Sequence, residues 1–142
     1  MSKATHAGTE VLEFLLGDER YCIDIDHVAE IVDRGELTTV PNTPPQVEGV
    51  MDLRGRTTTI IDPKVPLELS GKGDGSRIVI FDHEMHDEHG ATGWIVDEVN
   101  RVVRVPEDQV DDSPTENEDA VKGVVKQDDE FIVWIDPTET VS

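Results

Sequence analysis

Short runs rich in Val, Ile and Thr recur along the chain, and Gly, Pro, Asn, Asp or Ser interrupt them every eight to twelve positions. That spacing predicts an all-β protein. Strands are expected over Val11–Leu16, Arg20–Ile25, Thr57–Ile61, Arg77–Phe81, Thr92–Val96, Asn100–Val105, Val121–Val125 and Phe131–Ile135. Helix is scarce. Asp26 is a good N-cap residue, and Val28, Ile31 and Val32 after it fall at helical spacing, which predicts one short helix over Asp26–Val32. Pro106–Val110 suggests a further helical turn. Ser70-Gly71-Lys72-Gly73-Asp74-Gly75-Ser76 reads as a flexible connector between two strand-rich halves, and Asp111–Asp119 as a second loop.

The halves echo one another. Val47-Glu48-Gly49-Val50 precedes Ile61-Asp62-Pro63 by the spacing that separates Val121-Lys122-Gly123-Val124 from Ile135-Asp136-Pro137, at an offset of 74 residues. Upstream, Asp26-x-Val28-x-x-Ile31-Val32 matches Asp97-x-Val99-x-x-Val102-Val103 at an offset of 71. One strand pattern used twice in 142 residues is most simply two small barrels packed together, because closure removes exposed sheet edges. Chance similarity among Val-rich strands is the alternative.

Charge narrows the function classes. Against 12 Lys and Arg stand 32 Asp and Glu, a formal net charge of -20, which repels nucleic-acid phosphates and anionic lipid alike. The excess is spread along the whole chain. Such self-repulsion is tolerable where salt screens it, since the Debye length falls to about 3 Å near 1 M, and the pattern reads as halophilic adaptation. No apolar run approaches a bilayer span, and Met1–Glu10 has no signal-peptide core, so a cytoplasmic protein without membrane insertion is expected. The lone Cys22 alternates with its neighbours as a strand residue does and reads as structural.

Candidate chemistry is sparse. His83, His86 and His89 offer imidazoles for zinc or nickel, but steps of three splay them around a helix, and the segment ends in Gly90 between two expected strands. A polar hairpin loop is the stronger reading, with no metal and no cofactor. Gly71, Gly73 and Gly75 lack the Lys-Ser/Thr of a phosphate loop, and no nucleophile stands beside an evident base, so no enzymatic activity is expected. Leu53-Arg54-Gly55 is more informative. It puts a scarce Arg at the edge of a turn, either as a surface ion pair or as an interface anchor. Trp94 and Trp134 lie in apolar strand runs and read as core.

From about Glu10 to Thr140 the sequence resembles the CheW family of chemotaxis coupling proteins. The resemblance rests on an ordered set: Phe14-Leu15-Leu16-Gly17-Asp18-Glu19-Arg20-Tyr21-Cys22-Ile23-Asp24-Ile25, then Val28-Ala29-Glu30-Ile31, Val40-Pro41-Asn42-Thr43-Pro44, Val47 to Gly55, Gly93 to Val99, and Val121-Lys122-Gly123-Val124 to Ile135-Asp136. Asp52 stands where the family's motif carries Asn. The resemblance implies two SH3-like five-stranded β-barrel subdomains with one or two short helices. It places a lead over residues 1–9 and one domain over 10–142. The first barrel is expected over about 17–75 and the second over 76–142, with the N-terminal strand open to sharing. It further implies a non-enzymatic adaptor between the cytoplasmic tip of chemoreceptors (methyl-accepting chemotaxis proteins) and the regulatory domain of the histidine kinase CheA, with no nucleic-acid partner. Arg54 inherits the receptor-facing role, with Leu53 in the same motif and Val28 and Glu30 nearby. The kinase-contact residues stay unassigned. Rival readings are a CheW-like regulatory domain of a kinase, against which the Met1 start and the end soon after the last strand argue, and a metal-dependent enzyme built on His83, His86 and His89.

The charge reading is testable directly. The melting temperature followed by circular dichroism should fall when molar potassium chloride is replaced by millimolar, because like charges lose their screening. An unchanged value would remove the halophilic reading.

Overall fold

Runs of β-branched and aromatic residues form nearly every regular element. The structure, a computed structural model, describes residues 8–69, 73, 75–82, 91–111, 121–127 and 129–137. Its strands are β1 (Thr9–Leu16), β2 (Glu19–Asp24), β3 (Val28–Asp33), β4 (Val47–Leu53), β5 (Arg56–Ile61), β6 (Arg77–Phe81), β7 (Ala91–Val96), β8 (Glu98–Val105), β9 (Val110–Asp111), β10 (Val121–Gln127) and β11 (Glu130–Ile135). Single 3-10 turns lie at Ile25–His27 and Glu107–Gln109, and Pro137 is helical. The expected turn at Pro106–Val110 is therefore present, and the protein is all-β.

The expected helix over Asp26–Val32 is not formed. Helical geometry lasts only through His27, and Val28–Asp33 then pairs with β6 in the register Ile31↔Val79 and Val32↔Ile78. Val28, Ile31 and Val32 fit the helical period, but their β-branched side chains suit a pleated surface better, and a neighbouring strand supplies the ladder.

The strands make two sheets, a six-stranded one in the order β8-β1-β2-β11-β10-β9 and a five-stranded one in the order β3-β6-β7-β5-β4. Sheet membership does not divide at the 70–76 connector. Strands β6 and β7, from the second half, complete the sheet of β3, β4 and β5. Strands β1 and β2, from the first half, complete the sheet of β8 to β11. Each sheet therefore draws strands from both sides of the division expected between 17–75 and 76–142. Local sequence marks where a strand lies, whereas partner choice is settled by long-range pairing.

The internal repeat is nonetheless structural. Strands β4 and β10 share one burial pattern, β5 and β11 share another, and both hairpins carry a register shift at the same place, Val47/Gly49 and Val121/Gly123. Glycine is required at both shifts by close backbone approach. A Cβ on Gly49 would stand 2.6 Å from the Thr38 carbonyl oxygen, and one on Gly123 would stand 2.8 Å from that of Asp111. Those neighbours are themselves counterparts. Thr38 bridges Val50 just as Asp111 in β9 pairs with Val124, so each sheet is closed by a short segment laid along its outer strand.

Three apolar clusters follow from this plan. Leu12, Phe14, Ile23 and Ile135 of one sheet meet Ile61, Val79, Phe81 and Trp94 of the other. Trp94 receives both Phe14 and Phe81 edge-on. Val11, Cys22, Val105, Val125, Ile132 and Trp134 fill the six-stranded unit, and Met51, Ile60, Ile78, Ile80 and Ile95 fill the five-stranded one. Both tryptophans and Cys22 thus pack as expected. Burial pushes the Cys22 thiol pKa well up, and the nearby Asp24 and Glu13 carboxylates add to that shift.

Polar anchors tie the units together. Asp97, whose side chain is 8% exposed, joins β7 to β8 and accepts hydrogen bonds from the backbone N–H of Gly17 and, at 2.8 Å, of Gly75. Lys64 pairs with it at 2.9 Å. Burial pushes the Asp97 pKa up, but the Gly17, Lys64 and Gly75 hydrogen bonds and the Lys64 charge outweigh it and hold the group below its ordinary value. Glu13, 1% exposed, is similarly surrounded, by Asn100 at 2.9 Å, Arg101 at 3.2 Å and Arg20 at 3.5 Å.

Two outcomes follow. Gly49→Ala and Gly123→Ala should each destabilise the fold by about 1–3 kcal/mol in chemical denaturation, because a backbone oxygen cannot yield the space. Unchanged midpoints would contradict the close approach. Asp97→Asn should cost about 2 kcal/mol near neutral pH, since the lost charge leaves Lys64 and two N–H groups poorly satisfied. A carboxylate whose folded pKa is depressed stabilises above its unfolded value and ceases to do so as pH falls through the folded value. The gap between variant and wild type should therefore close only at acid pH, and equal stability at neutral pH would remove Asp97 from this role.

Candidate partner-binding surface

The β4–β5 connection is the tightest turn near the expected site. Leu53 pairs with Arg56, leaving Arg54 and Gly55 as a two-residue turn with φ of 53° and 81°. Two successive positive φ values match the twist of a hairpin, and glycine is the residue that adopts them freely. At Gly55 an added Cβ would meet nothing within 4 Å, so conformation and not space requires glycine there. Arg54 holds its left-handed conformation despite a long side chain. Backbone held in such a region is a recurrent feature of functional sites.

The guanidinium lies against β3. Arg54 donates through Nη1 to Glu30 Oε1 at 3.2 Å and through Nη2 to Oε2, a two-pronged pair. The hydrogen bonds from Arg54 hold the Glu30 carboxyl below its ordinary value, reinforced by the guanidinium charge, while slight desolvation acts the other way; the same hydrogen bonds and charge raise the Arg54 pKa. Strands β3 and β4 are the outer strands of the five-stranded sheet, so this pair spans the closure of the barrel. Exposure of 68% for the Arg54 side chain and 32% for that of Glu30 leaves both open to a partner.

The four expected surface residues separate into two groups. Arg54 and Glu30 meet directly. Leu53 packs beneath them against the five-stranded unit's cluster alongside Val32 and Leu37. Val28, paired with Phe81, packs instead against the cluster between the sheets, so its side chain supports the seam between the units. The composition-based alternatives for Arg54, ion pair or anchor, coexist. The guanidinium is paired and exposed at once.

Sequence reasoning missed Asp97 and Glu13 as organising groups. Their signal was faint: Glu13 is a single acidic residue in the apolar run Val11-Leu12-Glu13-Phe14-Leu15-Leu16, and Asp97 stands next to Glu98, against a background of 32 acidic residues. His83, His86 and His89 lie outside the described residues. Among the described residues no group of three or more His, Cys, Asp or Glu side chains could hold a metal ion, and no helix is long and apolar enough to cross a membrane.

Comparison with known proteins agrees with this architecture. The sequence profile of the CheW-like domain matches residues 10–142. Chemotaxis protein CheW of Bacillus subtilis (strain 168) is 29% identical over 142 residues, covering 96% of this chain and 88% of that protein. Chemotaxis protein CheW of Helicobacter pylori is 30% identical over 131 residues, covering 87% of this chain and 77% of its own. Among solved structures, the scaffolding protein TtCheW from Thermoanaerobacter tengcongensis superposes with a TM-score of 0.79 at 30% identity, covering 91% of this chain and 84% of that one.

Proposed function

The chain belongs to the CheW-like domain family, and from that premise we propose that it is a chemotaxis coupling adaptor whose receptor-facing surface is built around Arg54. It joins chemoreceptors to the histidine kinase CheA without chemistry of its own. One observation carries the placement of the surface: a scarce arginine is held at positive φ on an exposed two-residue turn, with its guanidinium fixed by Glu30. A guanidinium fixed in this way presents its remaining N–H donors in a set direction, which suits acceptors on a receptor helix. Leu53 backs the turn, and Val28 lies at the seam between the units, where apolar receptor residues have a place to pack.

Charge supports the same arrangement. A protein of net charge -20 repels an acidic partner over most of its surface, so a cationic turn marks where such a partner can approach. The regulatory domain of CheA, related to this fold, is the second partner, and it binds away from the Arg54 turn. The work of such a protein is positional, and it belongs in the cytoplasm beside the receptor tips.

Titration of wild type and Arg54→Glu against a receptor cytoplasmic fragment and against the kinase, at one high salt concentration, tests the reading. Receptor affinity should weaken about tenfold or more, as loss of a central arginine does at interface hot spots. Kinase affinity should hold, and the melting temperature should move by no more than a few degrees, about what exposed substitutions produce. Unchanged receptor affinity removes Arg54 from the surface. Loss of both partners with a lowered melting temperature makes its role structural.

A further inference from the structure

The charge around the Arg54 turn is divided between a guanidinium and a neighbouring acidic cleft and, resting on the adaptor reading, we propose that the cleft holds a basic side chain of the same receptor, bound by Glu36 and Asp52. The cleft arises where two edges part. Thr38 and Val50 exchange backbone hydrogen bonds, each at 2.9 Å, and one further step of that antiparallel register would set Glu36 opposite Asp52. The bridge is isolated, so the step is not taken, and a cavity of about 490 Å³ opens between Glu36 and Asp52. Leu53 and Arg56 flank a two-residue turn and form a hydrogen-bonded pair. By alternation Asp52 and Thr57 form a non-bonded one, and the N–H and C=O of Asp52 point away from β5 towards the gap. Thr38 and Thr57 add hydroxyls. Met51, nearly buried, lines the apolar part, with its sulfur 3.9 Å from where a Cβ on Gly35 would stand.

This lining calls for a cation. Ionised carboxylates only accept hydrogen bonds, so Glu36 and Asp52 need donors from the occupant. The basic residues two positions from each are turned elsewhere: Arg34 Nη1 lies 3.7 Å from the site of a Cβ on Gly75, and Arg54 is held by Glu30. An apolar wall suits the methylene stem of Lys or Arg, while the carboxylates and the Asp52 carbonyl suit its charged head. With a net charge of -20 behind it, the cleft excludes an acidic side chain. Arg54, two residues along β4 from Asp52, offers the opposite preference. Two strand residues span about 7 Å, close to the roughly 6 Å between positions four apart on a helix. One receptor helix therefore satisfies both with an acidic and a basic residue one turn apart. A helix bearing acids alone satisfies only Arg54, so the cleft sets specificity and register.

Titration with a receptor cytoplasmic fragment and with the kinase tests the cleft, with Arg54→Glu run in parallel. Glu36→Gln with Asp52→Asn keeps the shape and removes both charges at exposed positions, so the melting temperature should stay within a few degrees. Receptor affinity should fall about fivefold or more, with kinase affinity unchanged. Glu36→Lys with Asp52→Lys should bind more weakly still. When each basic residue of the fragment is replaced by Glu in turn, one replacement should weaken binding to wild type and restore binding to this reversed variant. Should the reversed variant not fold, the scan is run against the neutral variant, where the matching replacement should cost nothing further. Wild-type receptor affinity in the neutral variant, loss of kinase affinity in its place, or a scan with no matching residue overturns the proposal. Arg54→Glu judges the adaptor surface separately. If it alone loses receptor affinity, the cleft fails and the Arg54 surface stands; if only the cleft variants lose it, Arg54 leaves the surface and the cleft stays; if neither does, both fail.

Discussion

Each sheet is completed by backbone hydrogen bonds between opposite halves of the sequence, and the rest of the molecule depends on that exchange. The β1–β2 and β4–β5 hairpins pair locally, but their sheets are completed only when β8 and β11 join the first and β7 the second, and β3 pairs only with β6. Because the loops that pass between the sheets are short, Ile25–His27 in one case and Asp97 in the other, the two units are pinned close together. That proximity creates the cluster around Trp94 and lets a single carboxylate, Asp97, reach the β1–β2 turn, the connector and Lys64 at once. Contacts so distant in sequence make folding slow but highly cooperative, since no local piece is self-sufficient.

The same plan explains how the chain tolerates its charge. Several of its basic residues serve more than one partner or close a structural gap: Arg20 reaches Glu13 and Glu130, Lys122 lies over the Trp134 ring while approaching Asp24, and Arg54 spans the barrel closure to Glu30. Attraction is concentrated at seams between elements. Repulsion is left on the open surface, where ions can screen it. The Arg54 turn is both a seam and a surface, which suits it to exchange contacts with a partner without disturbing the fold.

Strand positions and the internal repeat were legible in the sequence because both are local patterns. The 74-residue offset survives in matched burial and matched register shifts, down to the paired glycines at 49 and 123. Pairing was not legible, because nothing in Ile78-Val79-Ile80 says whether it meets β1 or β3. The segment Val28–Asp33 fitted a helical period, and only its partner strand decided against it. At the site, the Leu53-Arg54-Gly55 motif revealed the turn through Gly55, and the family resemblance named Arg54 and Glu30 separately. Their contact was hidden, since they are 24 residues apart and on the two outer strands of a sheet that closes on itself.

The central claim is that one end of one unit, the β4–β5 turn with its β3 neighbour, meets the receptor, while its repeat counterpart at the β10–β11 turn does not. Amide chemical-shift mapping of isotope-labelled protein on addition of unlabelled receptor cytoplasmic fragment addresses this most directly. The account predicts the largest shifts at Glu30, Leu53, Arg54 and Gly55, with smaller ones near Val28. Shifts concentrated instead at Gln127, Asp129 and Glu130 would contradict it.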